Sequence, residues 1–280
     1  MKVCFGTINV RYQLPIEDIL RRVAELGYDG VEIWGSQIDG KPEEELAALR
    51  KEARDLGLAV PCLTPYFCFT GTQEMWDASL AIARRFTHYA QALGAPLIRG
   101  LTSVGIDLKD YKERSIAKLE SWAPSEKATE EQWQRTIQAY RTITAEIEKA
   151  GADVVFAMET HGNNLTDTLA GCRRLLQAVD SPHLKVLYQS FAKREPIDGL
   201  DEIYDQVVHV HVQYVGGRGQ KSFLPVVRKL AEKGYQGWVN VEFTDAPAEG
   251  EGLDVLWANA GRDLKLVRDA AAGARRQAGA

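Results

Sequence analysis

The sequence predicts a single-domain α/β protein, the (β/α)8 or TIM barrel, on three observations. Short β-branched or apolar runs alternate with longer stretches of helical period, the mark of βα units around a parallel sheet. Roughly eight such runs fit in 280 residues, a length that α/β barrels fill as one domain. A glycine recurs where a helix hands over to a strand, in ELGYDGVEI, DLGLAV, ALGAPLI, KAGADVV and EKGYQGWV. That is where a left-handed residue ends a helix.

Strands are expected near 2–9, 30–34, 59–64, 96–101, 154–160, 184–190, 207–213 and 237–243. Between them, Ile16, Ile19, Leu20, Val23 and Leu26 keep helical spacing, as do Leu165, Leu169, Cys172, Leu176 and Val179. Thr129 and Gln132 form a capping box that opens a helix carrying Trp133, Ile137, Tyr140 and Ile147. No GxGxxG follows the first strand, which argues against an open dinucleotide-binding sheet. The barrel is assigned to residues 1–270, and 271–280 to a frayed helix end or C-terminal tail. The insertion at about 105–128 lies after the fourth strand, on the side where barrels build their sites, and reads as a lid or as a solvated excursion.

Composition narrows the function classes. Hydrophobic residues at 45% and charged residues at 26% describe a globular protein with a sizeable core. A net charge of −5 disfavours nucleic acid as a partner. Neither a secretory h-region nor an apolar run of membrane-spanning length is present, so no membrane partner is expected. Cys4, Cys62, Cys68 and Cys172 show no CxxC spacing and read as reduced, packed thiols of a cytoplasmic protein.

The run VHVHVQY, 208–214, alternates valine with polar residues, so His209, His211 and Gln213 share one strand face. At the C-terminal mouth of a barrel such polar groups are candidates for function. Glu159, Thr160 and His161 end strand five, Tyr188, Gln189 and Ser190 strand six, and Asn240 to Phe243 strand eight; Glu32 and Trp34 share a face of strand two. Two carboxylates, an imidazole and an amide carbonyl converging there would form a mixed O/N site for a divalent cation of the manganese, cobalt, magnesium, iron or zinc kind.

Through GYDGVEIW, ETHGNNLTDT, HVHVQ and GWVNVEF, nearly the whole chain resembles the xylose isomerase-like TIM barrels, the sugar phosphate isomerase/epimerase and AP endonuclease family 2 group. The resemblance implies Glu159, Gln189, His211 and Glu242 as metal ligands, with Glu159 and Glu242 also the catalytic acid/base pair. Gln189 stands where that family usually has aspartate, and Gln213-Tyr214 where it often has Lys-Asp. Two glutamates would just neutralise a divalent cation, predicting weaker retention and a stronger Lewis acid.

The resemblance further implies an enzyme acting on a small carbohydrate. The first expectation is a ketose isomerase or epimerase working by proton abstraction beside a carbonyl. A lyase or dehydratase on a keto-sugar, keto-inositol or 3-keto-glycoside, C-glycosides included, and a non-catalytic accessory barrel are the alternatives. His161, Trp34, Tyr66, Arg99 and Arg218 are the expected substrate contacts, with Phe67 a further stacking candidate. The glycine segment VGGRGQKSF reads as a phosphate loop or an ordinary turn. Similar barrels are often dimers or tetramers, so a homo-oligomer is expected.

Overall fold

The computed structural model describes residues 1–11, 13–104, 123–217 and 222–278, and in it eight strands close into a barrel in sequence order. The strands are β1 (Lys2–Gly6), β2 (Gly30–Trp34), β3 (Ala59–Thr64), β4 (Leu97–Gly100), β5 (Val155–Glu159), β6 (Leu184–Tyr188), β7 (Val207–Gln213) and β8 (Trp238–Phe243). The helices are α1 (Ile16–Glu25), α2 (Glu43–Asp55), α3 (Gln73–Leu93), α4 (Glu130–Ala150), α5 (Leu169–Val179), α6 (Leu200–Ile203), α7 (Leu224–Glu232) and α8 (Leu253–Ala278). Closure is parallel, with Lys2 opposite Trp238 and Cys4 opposite Asn240.

The five handover glycines all take positive φ: Gly27 at 84°, Gly57 at 75°, Gly94 at 71°, Gly151 at 59° and Gly234 at 72°. A side chain there would be strained, which is why glycine marks these five helix-to-strand corners; after α5 the left-handed position is taken by Asp180 at φ 49°. The Thr129–Gln132 capping box forms as read, each side chain bonding to the other's backbone N–H.

Several strand ends shift by one or two residues from the sequence reading, and three boundaries differ by more. The first strand stops at Gly6 because Thr7 to Asn9 turn into a 3-10 helix. There Asn9 Nδ2 donates to the carbonyls of Gly6 and Glu242, both at 2.8 Å, tying that turn to the end of β8. Leu165 belongs to no helix; it is buried in the loop before α5, whose N-cap is Thr168. The last helix runs on to Ala278 and buries Ala271 and Ala274.

One face of each strand packs outward against the helices. Phe5, Val31, Ile33, Ile98, Phe156, Val210 and Val239 meet residues such as Ile19, Leu20 and Val23 in one continuous core. Each such side chain contributes about 1.5–3 kcal/mol by leaving water. Period-two alternation turns the other face into the barrel, and at its mouth end that face is polar and buried: Glu32, Arg99, Glu159, His209, His211, Asn240 and Glu242. All four cysteines are free and buried. No helix among the described residues is long and apolar enough to cross a membrane.

At Gly171 in α5 an added Cβ would lie 2.0 Å from the Leu165 carbonyl oxygen, whereas at Gly273 in α8 it would meet nothing within 4 Å. Gly171→Ala is therefore expected to destabilise by about 1–3 kcal/mol through overpacking. Gly273→Ala is expected to stabilise by about 0.5–1 kcal/mol through helix propensity. Thermal unfolding of the two variants checks both signs.

Candidate metal centre

Strands β5, β7 and β8 deliver Glu159, His211 and Glu242 to one point, and Gln189 joins them from the residue after β6. One ligand atom from each of Glu159, His211 and Glu242 lies within 4.8 Å of the others. His211 Nδ1 stands 3.4 Å from Glu159 Oε1 and 3.3 Å from Glu242 Oε2. Gln189 is held by its backbone N–H, which donates to Thr160 Oγ1 at 2.8 Å. The four residues expected as ligands are thus brought together.

Glu32 organises the layer beneath. Its Oε2 accepts from His209 Nε2 at 2.8 Å and from His211 Nε2 at 2.9 Å, and its Oε1 accepts from Asn240 Nδ2 at 2.7 Å. A carboxylate accepts only, so both imidazoles carry a proton on Nε2 toward it, and His211 Nδ1 is the ring nitrogen left to face Glu159 and Glu242, where the neutral ring would offer its lone pair to a cation. This is how a carboxylate behind a metal-ligating histidine fixes its tautomer and orientation. His209, on the same strand face as His211, is a fully buried, hydrogen-bonded interior residue.

Arg99 on β4 supplies the counter-charge. Its guanidinium is buried, with Nη1 3.5 Å from Glu159 Oε2 and 3.7 Å from Glu242 Oε1. Nη2 donates to the Pro65 carbonyl at 3.2 Å, and the Tyr66 ring lies 4.6 Å from the guanidinium carbon. Burial alone would raise the Glu159 carboxyl, but Arg99, followed by His211, holds it well below the usual carboxylate range. Burial likewise opposes ionisation of Glu32, and the two imidazoles outweigh it, holding that carboxyl well below its ordinary value. Burial opposes the charged form of His211, but without a cation the surrounding carboxylates push its imidazole well up toward that form. With His211 neutral, as a metal ligand must be, three ionised carboxylates against one guanidinium leave two negative charges. The count expected from two glutamates alone comes to the same balance by a different route.

Among the described residues, His211 Nδ1 and Glu159 Oε2 are buried without a hydrogen-bond partner. Such atoms are costly unless something coordinates them. Two carboxylates, an imidazole with a turned-in lone pair and an amide, carrying two excess negative charges, fit a divalent cation. Glu32, Cys62 and His209 also lie close enough to share an ion. Glu32 is already engaged by three N–H groups, and burial, then Glu32, pushes the Cys62 thiol well up. That second set is a hydrogen-bonded support.

Around the mouth, His161 is half-buried with Nδ1 2.7 Å from the Gly162 carbonyl, so Nδ1 carries the proton and Nε2 is the acceptor. Trp34 and Tyr66 join Ile8, Leu101, Val104 and Phe243 in an apolar wall. Phe67 departs from the expectation: it turns into the main core and stacks on Phe69 with ring centroids 5.5 Å apart, because the chain has left β3 and strand parity no longer governs its direction. Arg218 and residues 105–122 of the expected lid lie outside the described residues. Sequence reasoning did not assign roles to Glu32, Asn240 or Gln213. Glu32 inside the apolar run GVEIW was the available signal.

The fold is a (β/α)8 barrel whose mouth carries a buried carboxylate–histidine cluster with the donor set of a divalent-cation site. The family model for the xylose isomerase-like TIM barrel matches residues 20–260, and the chain belongs to that family. Among curated relatives, a 3-dehydroshikimate dehydratase of Bacillus anthracis is 24% identical over 77% of this chain and 72% of its own. A fructoselysine 3-epimerase of Escherichia coli O157:H7 is 23% identical over 82% of this chain and 86% of its own. The solved D-psicose 3-epimerase of Clostridium cellulolyticum H10, with D-tagatose, superposes with a TM-score of 0.76 at 19% identity, covering 97% of this chain and 99% of that one. The relatives are enzymes, epimerases and dehydratases.

Because Glu32 orients His211, Glu32→Gln is expected to weaken manganese binding by about 10–100-fold. Isothermal titration of wild type and variant reads this; affinities within twofold would remove Glu32 from the support of the centre.

Proposed function

We propose that this barrel is a divalent-metal-dependent epimerase or isomerase of ketoses and related keto-sugars. The observation that carries the reading is the pair Glu159 and Glu242, on β5 and β8, each facing the same His211 imidazole at 3.4 and 3.3 Å. A bound cation, with manganese our first choice for this O/N donor set, supplies Lewis-acid stabilisation of charge developing on the substrate oxygens.

The chain's own groups do the rest. One of the two carboxylates, ionised, takes the proton from the carbon beside the carbonyl, and the other, carrying a proton at that point, returns it to the opposite face, so the two exchange protonation states and the net change is stereochemical. Arg99, buried and anchored on the Pro65 carbonyl, holds positive charge beside both carboxylates and favours the ionised, proton-accepting form of Glu159. The apolar wall of Trp34, Tyr66, Leu101 and Phe243 excludes water and offers flat surfaces to a sugar ring. The four free, buried cysteines support a cytoplasmic setting. A homo-oligomer is kept as part of the reading on the habit of similar barrels.

One observation favours a second reading, a dehydratase. His161, its Nδ1 proton directed to Gly162, presents Nε2 as a base that takes the proton beside the carbonyl and passes it to a departing β-hydroxyl. A C–H and a C–O bond break, a C=C bond forms and water leaves. The 3-dehydroshikimate dehydratase among the relatives supports it.

Incubating the manganese-loaded protein with ketoses and 3-keto-glycosides in heavy water separates the readings by NMR. Deuterium beside the carbonyl of an intact sugar is the expected result, and loss of water instead would install the dehydratase. Glu159→Gln is expected to lower deuterium incorporation by about 10²–10⁴-fold, as for loss of a general base; undiminished exchange would overturn the assignment of Glu159.

A further inference from the structure

Gln189 and Gln213 form a pair of amides whose orientations depend on one another. The inward end of the Gln189 amide faces three neighbours. With oxygen there, Oε1 accepts from Gln213 Nε2 at 3.1 Å but stands against two acceptors, the carboxylates of Glu159 and Glu242. With nitrogen there, it donates to Glu159 Oε1 at 2.8 Å and to Glu242 Oε2 at 3.0 Å, but meets Gln213 Nε2, itself a donor, at 3.1 Å. The two orientations have the same shape and opposite chemistry.

Only the first presents a carbonyl oxygen to a cation; the second ties up both carboxylates that a cation needs. Gln213 cannot simply turn as well, because its Nε2 also donates to Glu242 Oε2 at 2.7 Å, and an oxygen there would confront that carboxylate. Gln213 is therefore fixed as a donor. The two carboxylates favour nitrogen inward on Gln189 when no cation lies between them, and Gln213's donor opposes that orientation and supports oxygen inward.

We propose that Gln213 is a positioning residue that selects the carbonyl face of Gln189 as a metal ligand. The inference rests on the metal reading above. It also gives a role to a departure from the family pattern: a carboxylate ligand has two equivalent oxygens and needs no such selector, whereas an amide ligand does.

The test is a double-mutant cycle on manganese affinity, read from the EPR signal of free Mn(II), with wild type, Gln213→Met, Gln189→Glu and the double variant. Gln213→Met is expected to weaken binding about tenfold or more, the usual effect of losing a partner behind a ligand. In the Gln189→Glu background, where the ligand is symmetric, the same change is expected to cost less than about twofold. An equal loss in both backgrounds, which a role through Glu242 or general structure would give, overturns the proposal, as does no loss in wild type.

Gln213→Glu supplies an independent sign. It adds negative charge but replaces the donor with an acceptor, so weaker binding supports the proposal and tighter binding overturns it. Wild-type protein that takes up no manganese overturns the metal reading itself, and the inference with it.

Discussion

Three carboxylates are shut inside the mouth of this barrel, and their neutralisation is the constraint on which the rest of the site depends. Glu32, Glu159 and Glu242 are each at most 4% exposed. An uncompensated charge in such surroundings costs about 3–5 kcal/mol. The chain answers with Arg99 for Glu159 and Glu242, and with two imidazoles and an amide for Glu32. With His211 neutral, as ligation requires, two negative charges remain, and a divalent cation matches them.

The barrel makes this arrangement affordable. Strand alternation sends Val210 and Val239 outward into a continuous apolar core while His209, His211, Asn240 and Glu242 turn inward on the same strands. The apolar layer carries the stability, so the inner face is released for chemistry. Glu32 to His209 is a contact between β2 and β7, which are not neighbours in the sheet, so it crosses the interior and links opposite walls. Asn9, bonded to the Glu242 carbonyl, fixes the end of β8 from the first loop.

Much of this was legible in the sequence because local physics wrote it there. Glycines at positive φ, β-branched runs and the Thr129 capping box located strands and helices without any knowledge of contacts. Glu159, Gln189, His211 and Glu242 were legible because a barrel brings strand ends together and because the chain resembles a family with ligands there. Glu32 and Asn240 were not assigned, since their partners lie 177 and 208 residues away and only closure of the barrel brings them near. Phe67 and Leu165 were misread for a different reason: both sit in loops, where neither the period of 2 nor that of 3.6 decides direction.

Epimerases and dehydratases both occur among the relatives, so a family assignment leaves the reaction to the first groups around the substrate. What both chemistries share here is the centre itself. X-ray data from crystals soaked in manganese, collected above its absorption edge, test that centre most directly. One anomalous peak bonded to Glu159, His211 Nδ1, Glu242 and an inward-facing Gln189 oxygen is the predicted result. A peak among Glu32, Cys62 and His209, or none at the barrel mouth, would contradict it.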